Sequence, residues 1–193
     1  MEILLYSESS GIRGGIEIFV ERQAQRLREE GNHVEIANNG AALVSAGFSR
    51  LDRLIVHKFA SPALLEALPP EKTTLFVHDH DQICPRSYAY TPLGRNCFRP
   101  GGVFPCIFCA PLCRHPGRAL RRVLAQSRLK KAMARLDRIV VLSRFMKERL
   151  AVNGIPAEKI SVEPPEIVLP PPGNDAGIPG DIDMLFAGQL IRG

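Results

Sequence analysis

The sequence predicts an α/β protein built on a doubly wound parallel sheet. Short apolar runs alternate along the chain with segments of helical periodicity, the pattern that strand–helix–strand units produce. The runs are continuously apolar rather than alternating, as expected of strands covered on both faces. At 193 residues, 45% hydrophobic and 23% charged, the chain holds enough apolar material for one sizeable core, not for two full α/β domains.

The elements follow in order. Ile3 to Tyr6 reads as a buried strand, and the loop from Ser7 to Gly15 leads into a helix. Ile16, Phe19, Val20, Gln23, Ala24 and Leu27 fall on one face of that helix, which stops at Gly31. His33 to Ala37 alternates like a strand, and Leu54-Ile55-Val56 forms another strand core. A helix is expected from Pro62 to Leu68, then a strand from Thr73 to Val77, ending at His78-Asp79-His80-Asp81. Residues 82–117 read as an irregular insertion holding all five cysteines. A helix follows from about Gly117 to Leu136, then a strand from Ile139 to Leu142. Ser143 is placed to cap a helix carrying Phe145, Met146 and Leu150, closed by Asn153-Gly154. Lys159 to Val162 is a last short strand of the first domain, residues 1–163. Residues 164–182 read as a Pro/Gly-rich linker, and 183–193 as the first strand of another domain.

No leading segment resembles a signal peptide, and no apolar run approaches the roughly 20 residues of a spanning helix. A cytoplasmic protein is expected. The net charge of +5 is local: Arg114, Arg118, Arg121, Arg122, Arg128, Lys130, Lys131, Arg135 and Arg138 stand against the single acid Asp137. Such a cluster either attracts phosphates, including those of an anionic membrane surface, or forms a solvated helix face.

Three groups of residues point to chemistry. Gly14 and Gly15 open the first helix, where glycines ease a turn or let a ligand approach free N–H groups at the positive end of the helix dipole. The spacing Gly11-x-x-Gly14-Gly15 differs from the G-x-G-x-x-G of dinucleotide-binding folds, although Glu35 would suit their acidic position. His78, Asp79 and His80 lie at the carboxyl end of a strand, the edge where open α/β sheets bind ligands. Such a group can bind a metal, move protons, hydrogen-bond polyols, or simply end a strand in water. Last, Cys97, Cys106, Cys109 and Cys113 fall within 17 residues, with Cys84 upstream. Their spacing suits a structural zinc, with free thiols packed as small hydrophobes, disulfides or redox chemistry as the other readings.

In order along the chain, the sequence resembles the family 4 retaining glycosyltransferases of the GT-B fold. The matching pieces are Gly14-Gly15-Ile16-Glu17, Leu54-Ile55-Val56-His57, Thr74-Leu75-Phe76-Val77-His78-Asp79, Ile139-Val140-Val141-Leu142-Ser143, the segment from Gly154 to Ile160, and Phe186-Ala187-Gly188-Gln189-Leu190. The resemblance implies a Rossmann-like domain on the acceptor side of a hexosyltransferase. It would move a sugar from a nucleotide sugar to a lipid-linked or polysaccharide acceptor, with retention and without a catalytic cofactor. It implies that the glycine pair lies near the transferred sugar and that His78 faces acceptor and sugar, where a neutral imidazole can donate to a hydroxyl. The chain departs from the family pattern at Gln189, where an Arg is common, and at Glu163-Pro164-Pro165-Glu166, which replaces a Pro-Asn-Gly turn. The donor-binding basic pair and carboxylates would fall after Gly193, so the chain alone is expected to be inactive. Peripheral contact with the inner face of an anionic membrane is also expected, and no nucleic-acid partner. Two other functions stay open: a zinc-stapled basic binding module, and part of a nucleotide-binding oxidoreductase.

Overall fold

The computed structural model describes residues 1–8, 14–45, 47–59, 62–84, 89, 91, 95, 97–102, 106–109 and 115–165. Cys113, Arg114, Gly11 and Gln189 lie outside the described residues, as do the expected linker beyond Pro165 and the strand at 183–193.

Six parallel strands form one sheet in the order β2-β1-β3-β4-β5-β6. They are β1 (Glu2–Ser7), β2 (His33–Ala37), β3 (Arg53–Lys58), β4 (Thr73–Val77), β5 (Arg138–Val141) and β6 (Ile160–Val162). The helices are α1 (Gly15–Glu29), α2 (Gly40–Ser45), α3 (Pro62–Ala67), α4 (Pro116–Arg135) and α5 (Arg144–Val152). The fold is thus Rossmann-like, with helices on both faces. The short α2 was not expected from the sequence, although Asn39 is its cap: Oδ1 accepts the Ala42 N–H at 2.8 Å.

Strand alternation divides the core in two. Leu4 and Tyr6 of β1, Leu54 and Val56 of β3, Leu75 and Val77 of β4, and Ile139 and Val141 of β5 pack toward α2, α3, α4 and α5. Ile3, Leu5, Ile55, Phe76 and Val140 point the other way, onto Val20, Ala24 and Leu27 of α1. Each fully buried aliphatic or Phe side chain contributes roughly 1.5–3 kcal/mol, so this two-sided burial dominates the stability of the sheet.

Helix ends follow local chemistry. Ser143 Oγ accepts the Met146 N–H at 3.2 Å and caps α5 as expected. Gly31, at φ +84°, ends α1 in a conformation that side chains disfavour. Expected and observed boundaries differ elsewhere by a residue or two, as at α4 and β5. Ala157–Lys159 forms a 3-10 turn, which trims the start of β6 to Ile160.

Candidate functional site

The alternation that fills the core also builds the site. His57 follows Ile55 by two positions on β3, and His78 follows Phe76 by two positions past β4. Both imidazoles therefore fall on the α1 side of the sheet. On α1, Gln23 lies on the same buried face as Val20, Ala24 and Leu27. The three polar groups form one line. His57 Nε2 lies 2.8 Å from Gln23 Oε1, and His57 Nδ1 lies 3.0 Å from His78 Nε2.

This line fixes the protons. The Gln23 carbonyl can only accept, so His57 Nε2 carries the hydrogen and His57 Nδ1 is a lone pair. His78 Nε2–H then donates to that lone pair, which leaves His78 with an unprotonated Nδ1. Burial holds His57 down at about 3, with the neighbouring His78 adding to the effect. Burial likewise holds His78 at about 4. Both rings are neutral at pH 7. The nitrogen with which His78 was expected to donate is thus engaged by His57, and what it offers a ligand is an acceptor. Aromatic rings frame the pair: Phe19 meets His78 edge-on at 5.3 Å and Phe76 stacks on His57 at 4.8 Å.

The other expected residues serve differently. Asp79 Oδ1 accepts the Asp81 N–H at 2.8 Å, which folds the turn after β4. Burial raises the Asp79 carboxyl, and Asp81 adds to the rise. His80 stands edge-on to Phe145 at 6.0 Å, and its Nδ1 is buried with no hydrogen-bond partner among the described residues. Its imidazole is held below the ordinary range by burial and then by Arg149. At the end of β1, Ser7 Oγ is also buried without a partner among the described residues.

Gly14 and Gly15 are not needed for a turn. Gly14 is extended, at φ −129°, and a Cβ on Gly15 would meet nothing within 4 Å. A Cβ on Gly14 would meet only the Glu17 carboxylate, at 3.2 Å, which accepts the Gly14 N–H at 2.9 Å. The glycine pair adds no side chain at the start of α1, and the Glu17 carboxylate folds over Gly14. The helical ladder begins at the Ile18 N–H, so the preceding amides come before it. Beside them runs a groove of about 630 Å³ whose walls include Gly15, Phe19, Arg22, Gln23 and Phe76.

The cysteine segment is bolted to α4 and to the C-terminal half of α5. The buried Arg149 guanidinium donates from its two terminal nitrogens to the Phe98 and Arg99 carbonyls, both at 2.8 Å. Asn153 Oδ1 accepts the Gly101 N–H at 2.6 Å, and Lys130 Nζ donates to the Gly101 carbonyl. Gly101 crosses so close to the Ile83 carbonyl that a Cβ would come to 2.2 Å from it. Cys84, Cys97, Cys106 and Cys109 are not in disulfides, and all four are half-buried. Burial pushes the Cys106 thiol up, and Cys84, Cys109 and Cys97 lie close enough to push it further. Among the described residues, no three His, Cys, Asp or Glu side chains stand together at metal-ligating separation.

The basic residues of α4 and the start of β5 are partly consumed within the fold. Arg128 forks onto Glu66 of α3, Arg122 lies 3.9 Å from Asp81, and Arg138 reaches Glu163 at 2.8 Å. Arg118, Arg121 and Lys131 are exposed, next to the exposed Leu120 and Leu124. No helix among the described residues is long and apolar enough to cross a membrane. No family model, curated protein or solved structure matches the chain.

Proposed function

We propose that this chain is the acceptor-side part of a retaining glycosyltransferase that uses a nucleotide sugar, with its site at the carboxyl edge of the sheet around His78. The observation that carries this reading is the fixed, neutral His78 at the end of β4, in ring contact with Phe19, which lines a groove along α1. A lone-pair nitrogen suits a sugar or acceptor hydroxyl, whose O–H it can accept. The amides that precede the helical ladder of α1, with Arg22 and Arg26 lining the groove alongside Glu29 and Glu163, suit a phosphate-linked group. In such a reaction the donor nucleotide is held by a second domain, and the leaving diphosphate is stabilised by positive groups and helix dipoles. A lipid-linked acceptor agrees with Leu120 and Leu124 standing exposed among Arg118, Arg121 and Lys131, a composition that suits an anionic membrane surface.

The oxidoreductase reading has less support. Its acidic ribose ligand belongs at the carboxyl end of β2, whereas Glu35 pairs with Leu4 in the middle of that strand, two residues before Ala37.

The test is a nuclear magnetic resonance titration of the chain with a short-chain prenyl diphosphate sugar. Saturable shifts at His78, Phe19, Gly14 and Gly15 are expected. Their absence, or shifts confined to the α4 surface, would overturn the assignment of the site.

A further inference from the structure

Four of the five cysteines lie near one another in the segment after β4. Cys106 and Cys109 share a tight turn in which the Cys109 N–H reaches the Cys106 carbonyl at 3.0 Å. Two residues separate them, the ligand spacing that recurs in structural zinc sites. The Cys106 N–H in turn donates to the Gly102 carbonyl at 3.1 Å. Next to Gly102, Gly101 crosses Ile83, whose neighbour is Cys84. On the other side, the Cys97 N–H reaches back to the Ala89 carbonyl, and the following Phe98 and Arg99 are pinned by Arg149. Cys84, Cys97 and Cys109 all lie near enough to Cys106 to act on it electrostatically, although no three of the thiols stand at metal-ligating separation.

The burial pattern decides between two uses for the thiols. A loop that packed its cysteines as small hydrophobes would also turn its larger apolar side chains inward. Here Phe98 is 62% exposed and Phe108 71%, while all four thiols are half-buried. Among the described residues, the buried cluster at the loop is Ala119 and Val123 of α4, with Cys106 packed against them. Two such small contacts supply little of the free energy that orders a segment of this length.

We propose that Cys84, Cys97, Cys106 and Cys109 hold one structural zinc ion as four thiolate ligands. Ligation draws the sulfurs inward from their present separation, and each thiol releases its proton to solvent as it binds. Cations stand nearby: Lys130 donates to Gly101, and Arg149 clamps the segment after Cys97. Gln126 of α4 lies one turn beyond Val123 on the same face. Both polar atoms of its buried amide are without partners among the described residues. A buried amide left unpaired calls for an explanation, and its N–H is a ready donor to a metal-bound sulfur. This ligand set differs from the one the sequence spacing suggests, with Cys84 in place of Cys113.

The experiment measures zinc in the full chain purified without chelator, together with thiol reactivity in the folded state. About one zinc per chain is expected, with four thiols protected until the metal is removed. Cobalt exchanged into the site should show the visible bands of tetrahedral thiolate coordination. Cys84→Ser should lose the zinc and Cys113→Ser should keep it. Cys84→His restores a ligand, so it should recover the metal with shifted cobalt bands, which separates loss of ligation from loss of fold. The proposal is overturned by zinc far below one per chain with freely reactive thiols. Iron with sulfide, disulfides among the four cysteines, or zinc that survives Cys84→Ser but not Cys113→Ser would also overturn it.

Discussion

His57 Nδ1 lies 3.0 Å from His78 Nε2, and this contact sets which nitrogen His78 shows to a ligand. The far end of the line, Gln23, is anchored in α1, so the state of a strand-end imidazole is determined from the helix across from it.

The pair makes stability fall in mild acid. Both imidazoles bind protons near pH 6.5 in the unfolded chain but only at about 3 and about 4 in the fold. Below pH 6.5 the unfolded state therefore binds more protons. The stability these two residues contribute is complete above that pH and is lost as pH falls toward 4. Each ring should contribute a slope of about 1.4 kcal/mol per pH unit in this window. Urea midpoints taken from neutral pH down to about pH 4.5 test this, and His57→Gln should remove about half of the slope. A midpoint that stays flat across the window would contradict the neutral pair.

Replacing His78 should cost stability as well as activity. The structure shows that His78→Ala strips the buried His57 Nδ1 of its donor, at a cost of about 1–3 kcal/mol. In a protein joined to its donor-binding domain, sugar transfer should fall by roughly ten- to a thousandfold. Urea denaturation and turnover measured on the same variant check both numbers.

Gly15→Ala should separate fold from ligand. A Cβ there meets open space, and alanine is the better helix former by about 0.5–1 kcal/mol. The melting temperature should hold or rise slightly, while affinity for a prenyl diphosphate sugar should drop because the methyl group covers the first turn. Unchanged affinity would move the phosphate away from α1.

Arg149→Ala should be among the most destabilising single changes outside the apolar core. It leaves the Phe98 and Arg99 carbonyls without their charged donor, worth about 2–4 kcal/mol in sum. Arg149→Lys keeps the charge but not the fork, and should recover less than half of the loss. Chemical denaturation of the two variants gives the comparison.

The sheet was legible because parallel strands buried on both faces read as apolar runs, and β1, β3, β4 and β5 all do. The Ser143 cap and the Gly31 stop were legible for local reasons that need no tertiary context. The role of His57 was not. It sits in an apolar run, where an isolated histidine says nothing about its partner. Only the joint alternation of Ile55 with His57 and Phe76 with His78 places both rings on the α1 face. Gln23 was read as one more position on a helical stripe, although a polar side chain among Val20, Ala24 and Leu27 signals a buried partner. The cysteine segment was harder still. Its path depends on long-range ties from Arg149, Asn153 and Lys130, which no local pattern in residues 82–117 reveals.

The Gln23–His57–His78 line also ties α1 to the end of β4. Gln23 lies eight residues into α1 from Gly15, roughly 12 Å along a rigid helix axis. A ligand that grips the start of α1 and pulls it by a fraction of an ångström moves the Gln23 carbonyl by the same amount. Stretching that bond weakens the hold on the His57 proton, and with it the preference for a bare Nδ1 on His78. A pull on the start of α1 would thereby loosen the tautomer of His78, so the position of the helix and the nitrogen that the imidazole presents are linked through one hydrogen bond.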